Sequence, residues 1–227
     1  MRLTTLVLGM VMAISFRAIP ADAADAVLYT ATYVEVVPSA ASQAAPALQQ
    51  YRQATGADAG ALRMQVLQRA DRPSQFVILA AWKDQASLDA HGAGAAAKAL
   101  RDALGPLLAS PDDERVHSAL SLGGGSAAPT AKPVYAVTHV DVIPPRKDDG
   151  LALLKQLAED SRRDAGNIGF DVLQQTSRPN HFTVVEAWTD RSALDAHIAA
   201  AHTRQFRERL GPMNGALYDE RFYAPLY

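Results

Sequence analysis

The chain carries its own alignment. Displaced by 106 positions, residues 29–117 fall without a gap onto residues 135–223, and roughly a third of the paired positions are identical. Trp82 meets Trp188, Arg72-Pro73 meets Arg178-Pro179, and Gly105-Pro106 meets Gly211-Pro212. The run Leu88-Asp89-Ala90-His91 recurs as Leu194-Asp195-Ala196-His197. Such a register restricts the chain to two copies of one small unit. Positions where the copies differ are then the places to look for function.

Within each copy the apolar period switches between two and 3.6. Residues 29–37 and 135–143 are rich in β-branched and aromatic side chains and end at Pro38 and Pro144, as strands do. A helix follows: Leu151, Leu154, Leu157 and Ala158 recur at three- and four-residue spacing, and 40–55 is its Ala/Gln-rich counterpart. Gly60 and Gly166 suit the turn out of it. Strands at 62–69 and 76–82 match strands at 168–175 and 182–188, each pair joined by an Arg-Pro turn. Asp84 and Asp190 are N-caps of a second helix, read as running unbroken through His197 and His202 to Leu210, where Gly211-Pro212 stops it. Last strands are expected at 115–120 and 217–223.

The order β-α-β-β-α-β is the ferredoxin-like arrangement, so the fold class is α+β. One four-stranded sheet with helices on a single face leaves the other face bare, at a cost that a unit of this size bears poorly. The two copies, at 27–120 and 134–227, are therefore expected to pack sheet against sheet as an intramolecular pair. Residues 121–133, dominated by Gly, Ser, Ala and Pro, read as a flexible linker.

Residues 1–23 read as a signal peptide. Arg2 precedes an apolar run, too short for a comfortable bilayer span, and Ala21-Asp22-Ala23 is a small-x-small cleavage site. Cleavage after Ala23 or Ala26 would leave an exported protein, periplasmic or secreted. The chain has no cysteine, which removes lipidation at that site, disulfides and thiolate chemistry. Net charge is −2 for the whole chain and −3 without residues 1–23, with no basic cluster interleaved with aromatics. Neither nucleic acid nor stable membrane insertion is expected.

At Glu186-Ala-Trp188, Leu194-Asp195-Ala196-His197, His202 and Phe206 the sequence resembles the antibiotic biosynthesis monooxygenase (ABM) domain family. The resemblance implies a dimeric α+β barrel, here formed by two repeats of one chain. It implies oxidation of quinols or anthrone-like polyphenols by molecular oxygen with no metal or flavin. A related branch degrades haem with an Asn–Trp–His set whose asparagine lies on the first strand; neither first strand here contains asparagine. Repeat two fits the pattern throughout, whereas repeat one has Ala80 for Glu186, Ala96 for His202 and Leu100 for Phe206. The site is therefore expected in repeat two.

Cofactor-free oxygenation requires a base, donors for a developing oxyanion and aromatic walls. His197 and His139 are the candidate bases, histidine having an unperturbed pKa of about 6.5. His91 in repeat one keeps the position of His197, which also suits a structural hydrogen bond. Glu186 is the candidate partner of the base. Trp188 and Phe206 would be walls, and Trp188 a candidate participant. Arg204 or Arg207 would be anion donors, Tyr218 and Tyr223 donors to a bound quinone, and His202 a further binding residue. Glu186 and His202 are either the remains of a site that repeat one lost or solvent-facing positions free to drift. Glu35, Asp141, Tyr33 and His139 share strand parity and should face one way. No metal is expected: His197 and His202, five apart on one helix, would diverge by about 140°, and no carboxylate stands at suitable spacing. The alternative readings are a non-catalytic binding or scaffold pseudo-dimer and a haem-handling protein.

Overall fold

A computed structural model describes residues 27–227; the expected signal peptide at 1–23 lies outside the described residues. Repeat one supplies β1 (Leu28–Glu35), β2 (Ala61–Arg69), β3 (Gln75–Trp82) and β4 (Asp113–Ser121). Repeat two supplies β5 (Val134–Asp141), β6 (Asn167–Gln175), β7 (His181–Trp188) and β8 (Asp219–Pro225). Within each repeat the strand order is fourth, first, third, second, which is the ferredoxin-like order that the pattern predicts.

The two sheets do not merely face each other. β8 pairs with β2 through Leu67–Pro225, Gln68–Ala224 and Arg69–Tyr223, and β4 pairs with β6 through His117–Gln175 and its neighbours. Each last strand thus continues the other repeat's sheet, and the eight antiparallel strands close into one barrel. Closure removes the exposed edges that a pair of stacked sheets would keep. Tyr223, the candidate quinone donor, sits inside the barrel, flanked by β2 and β5. The last strand begins at Asp219, two residues later than expected, and leaves Leu217 in solvent.

Side-chain alternation divides the molecule into three apolar layers. Tyr29, Ala31, Leu79, Tyr135, Val137, Val185 and Tyr223 fill the barrel. On the outside, α1 (Ala41–Thr55) covers repeat one, with Leu48, Val66 and Phe76 in its core. The counterpart helix α4 (Lys147–Ser161) covers repeat two over Leu154, Phe170 and Phe182.

The second helix of each repeat is two helices. α2 (Gln85–Ala93) and α3 (Ala95–Leu104) are separated by Gly94, and α5 (Arg191–Ile198) and α6 (Ala201–Leu210) by Ala199-Ala200. Gly94 and Ala200 are extended at the joint, with ψ of 166° and 150°. Asp84 and Asp190 cap α2 and α5 as expected, accepting from the backbone N–H of Ser87 and Ala193. In repeat two the joint is built from alanines, so local composition offers no sign of the break.

The Gly-rich segment after β4 is also different from its reading as a flexible linker. The Phe170 N–H donates to the Gly123 carbonyl, and the N–H groups of Gly125 and Ala127 donate to Ile168 and Asn167, all within 2.8–3.0 Å. A Cβ at Gly125 would lie 2.1 Å from Asn167 Oδ1 and 2.2 Å from its carbonyl oxygen. Glycine is there for close approach rather than for freedom. Asp171 fastens the same region, accepting from the Gly123 N–H at 3.2 Å and from Arg63 of repeat one at 3.0 Å.

Candidate functional site

Each repeat places a histidine from its α2 or α5 helix against the tryptophan that ends its third strand. His91 stacks on Trp82 with centroids 4.5 Å apart, and His197 on Trp188 at 4.6 Å. Each histidine also directs Nδ1 at an aspartate in the loop after the first helix: Asp58 at 2.7 Å and Asp164 at 2.8 Å. This Asp–His–Trp unit is therefore common to both repeats, and tethering a helix to a strand and a loop accounts for its retention. Asp58 and Asp164 were not singled out from sequence. The repeat register held the signal, since Asp-Ala-Gly precedes each histidine by the same 33 residues.

The repeats part company at the indole N–H and at the other edge of the imidazole. In repeat one the Trp82 N–H donates to Thr30 at 3.3 Å, and Tyr51 Oη lies 2.7 Å from His91 Nε2. In repeat two Ala136 and Leu157 replace Thr30 and Tyr51. The Trp188 N–H donates instead to Glu186 Oε2 at 3.0 Å, and His197 Nε2 faces the same oxygen at 3.7 Å. Thr203 Oγ1 lies 3.4 Å from Nδ1 and 3.5 Å from Nε2. Glu186 is 2% and His197 4% exposed. Burial, with the Glu220 charge second, pushes the Glu186 carboxyl up to about 8. Burial also lowers the His197 imidazole below its ordinary value. The result is a buried carboxyl, an imidazole and an indole sharing one small volume.

His202, at the start of α6, brings Nε2 to 3.1 Å from Asp164 Oδ2. The separation reasoned from a single helix is thus corrected: with the chain bent at Ala199-Ala200, Asp164, His197 and His202 hold ligand-type atoms within 4.8 Å of one another. Phe206 is buried on the helix side, edge-on to Tyr218. Arg207 lies over Tyr218 and pairs with Glu220 at 2.9 Å. Arg204 does not join the site; it is exposed and its guanidinium donates to the Ala199 carbonyl.

His139 and Tyr223 are separated from this group by the sheet itself. Both have the inward parity of β5 and β8, whereas Glu186 and Trp188 project to the helix side. His139 lies at a mouth of the barrel, its Nε2 3.2 Å from His181 Nδ1. Those two, with Asp113, Arg115, Gln175, Ser177 and Arg178, line a cleft of about 330 Å³. Tyr33, its counterpart on β1, lies at the same end of the barrel, with Arg115 and Arg221 over its ring. Deeper in, His117 is fully buried, its Nε2 2.9 Å from Thr183 Oγ1 of repeat two. Burial lowers both His117 and His139 to about 4. The Asp–His unit of repeat one lies beside an open cleft. There Asp58, His91 and Ala96 help line about 440 Å³, and Ala96 is the residue that His202 replaces in repeat two.

The model of the antibiotic biosynthesis monooxygenase family matches residues 27–103 and again 133–209, more than half of the chain and in the register of the internal repeat. The chain belongs to the ABM family. Individual relatives are more distant. A 77-residue match to sll1783 of Synechocystis sp. is 29% identical and covers 34% of this chain and 52% of that protein, so the chain spans about half of that relative's length. YcnE of Bacillus subtilis is 28% identical over 68 residues, 30% of this chain and 72% of its own. The solved structure of FN1347 from Fusobacterium nucleatum superposes with a TM-score of 0.79 at 13% identity, over 89% of this chain and 93% of that one. Both YcnE and FN1347 carry the name "putative monooxygenase". At that identity the superposition establishes the ABM barrel fold alone.

Proposed function

We propose that the protein is an exported ABM-type oxygenase, oxidising a small phenol or quinol with molecular oxygen, with the reacting group held in repeat two. The observation that carries this reading is the exchange around the Trp–His stack. Repeat one satisfies its indole with a threonine, whereas repeat two uses a buried carboxyl that also faces the imidazole. A hydroxyl would serve the indole at far lower desolvation cost, so the carboxyl has a reason beyond packing. Glu186 and His197 take the phenolic proton; the electron-rich anion then passes an electron to oxygen, and Trp188 and Phe206 confine the pair until it recombines. Entry of an aromatic ring requires Phe206 and Tyr218 to give way.

Oxygen uptake by the tag-free protein with a panel of hydroquinones and anthrones, in air and with chelator, tests the reading. Uptake that falls at least about a hundredfold in Glu186→Gln supports it; no uptake with any substrate refutes it. Near-complete burial of Glu186 and His197 favours a second reading, a non-catalytic pseudo-dimer. That reading predicts ligand-induced thermal stabilisation without turnover. Export rests on residues 1–23, and an N-terminus starting at Ala24 or Val27 in the exported protein would support it. Recovery of an intact N-terminus from the cytoplasm would count against it.

A further inference from the structure

We propose that Asp164, His197 and His202 form a binding site for one divalent transition-metal ion of the Zn²⁺ and Co²⁺ type. The ligand atoms are Asp164 Oδ2, His197 Nδ1 and His202 Nε2, drawn from three segments: the loop after α4, the last turn of α5 and the first turn of α6. Asp164 Oδ2 lies 2.8 Å from His197 Nδ1 and 3.1 Å from His202 Nε2. Ligands on a common ion at bond lengths of about 2.1 Å stand roughly 3–3.4 Å apart, so a small outward shift of the carboxylate admits the ion. Two imidazoles with one carboxylate suit zinc, cobalt, nickel or copper, and are a poor set for calcium or magnesium.

An independent observation marks the same place. His202 Nε2 is shielded from solvent and makes no hydrogen bond: it is close to Asp164 but misaligned for one. A buried ring nitrogen without a hydrogen bond is uncommon and costs stability, and an ion shared with Asp164 would satisfy it. The His197 ring is already oriented for the purpose. It is clamped on Trp188, with Nε2 toward Glu186 and Nδ1 toward Asp164, the other proposed ligand, as an outer carboxylate commonly orients a ligating imidazole. Asp164 and His202 are each about a quarter exposed, leaving an approach from solvent and room for water to complete the coordination. The site shares His197 with the oxygenation reading but uses its Nδ1, whereas Nε2 faces Glu186.

Repeat one is an internal control. It has the Asp58–His91 pair in the same geometry and alanine where His202 stands. Alanine at this position is thus compatible with the fold, and His202→Ala is expected to remain folded. Tag-free protein titrated with Co²⁺ should develop visible d–d bands saturating at one equivalent, which Zn²⁺ then abolishes by displacement. His202→Ala should lose the bands, and a His139→Ala/His181→Ala double variant should keep them. Ala96→His, which completes the triad of repeat one, should raise the stoichiometry to two. Absence of bands in the unaltered protein, or bands that survive His202→Ala, overturns the proposal. Loss of the bands in the His139/His181 variant, or a stoichiometry of one in Ala96→His, overturns it equally. None of these readouts requires turnover, so failure of the oxygenation assay leaves the outcome interpretable.

Discussion

Acid should loosen this barrel through a single buried histidine, and the size of the effect can be worked out. His117 on β4 is fully buried inside the barrel with its Nε2 against Thr183 of the other repeat. Arg115 on its own strand and His139 on β5 add repulsion to the burial that lowers it to about 4. Its folded value is thus below the unfolded value of about 6.5, so the unfolded chain takes up the proton first. The stabilising contribution is complete above pH 6.5 and is lost as pH falls through the window from 6.5 to 4. Linkage over that window gives a loss of about 2 kcal/mol by pH 5 and about 3 kcal/mol by pH 4 from this one residue. His139 and His181, also lowered by burial, act in the same direction. The assay is urea denaturation at pH 7 and pH 5 for the natural protein and for His117→Asn, which cannot titrate. Carboxylate effects are common to both proteins and cancel in the comparison. The variant should lose about 2 kcal/mol less between the two pH values. Equal losses within about half a kcal/mol would refute the argument.

Three further outcomes follow from packing. Gly125→Ala forces a methyl group against Asn167 and should lower stability by about 1–3 kcal/mol in chemical denaturation, whereas Gly124→Ala, with open space at its Cβ, should be nearly neutral. Equal effects would return the segment to the status of a free linker. Asp171→Asn weakens the bond between repeats to Arg63 and should cost about 2–4 kcal/mol, a penalty that Arg63→Met should partly remove in a double-mutant cycle. Additive losses would show that the two residues do not interact. Leu154→Ala, in the centre of the repeat-two helix layer, should cost about 2–5 kcal/mol, and Leu217→Ala, 92% exposed, almost nothing; comparable melting shifts would contradict the layer assignment.

What the sequence determined by itself is what a period can encode. The 106-residue register set the number of units, and alternation of periods two and 3.6 set the order β-α-β-β-α-β, with Asp84 and Asp190 as caps. The Trp188–His197 neighbourhood was also legible, because both residues recur in repeat one. Only the tertiary structure decided the rest, and in each case the cause is a contact between segments distant in sequence. Barrel closure depends on β8 meeting β2 and β4 meeting β6, pairings that no local pattern within either strand specifies. The sheet separates His139 from His197, although both are histidines of one repeat, because adjacent side chains on a strand point to opposite faces. The bend at Ala199-Ala200 has no composition of its own; it brings His202 to Asp164 and undoes a separation reasoned from a straight helix. Gly125 looks like linker from its neighbours and is a close-packed position because Asn167 lies against it. Asp164 was present in the repeat register all along, yet its role as the partner of two histidines came only from the folded chain.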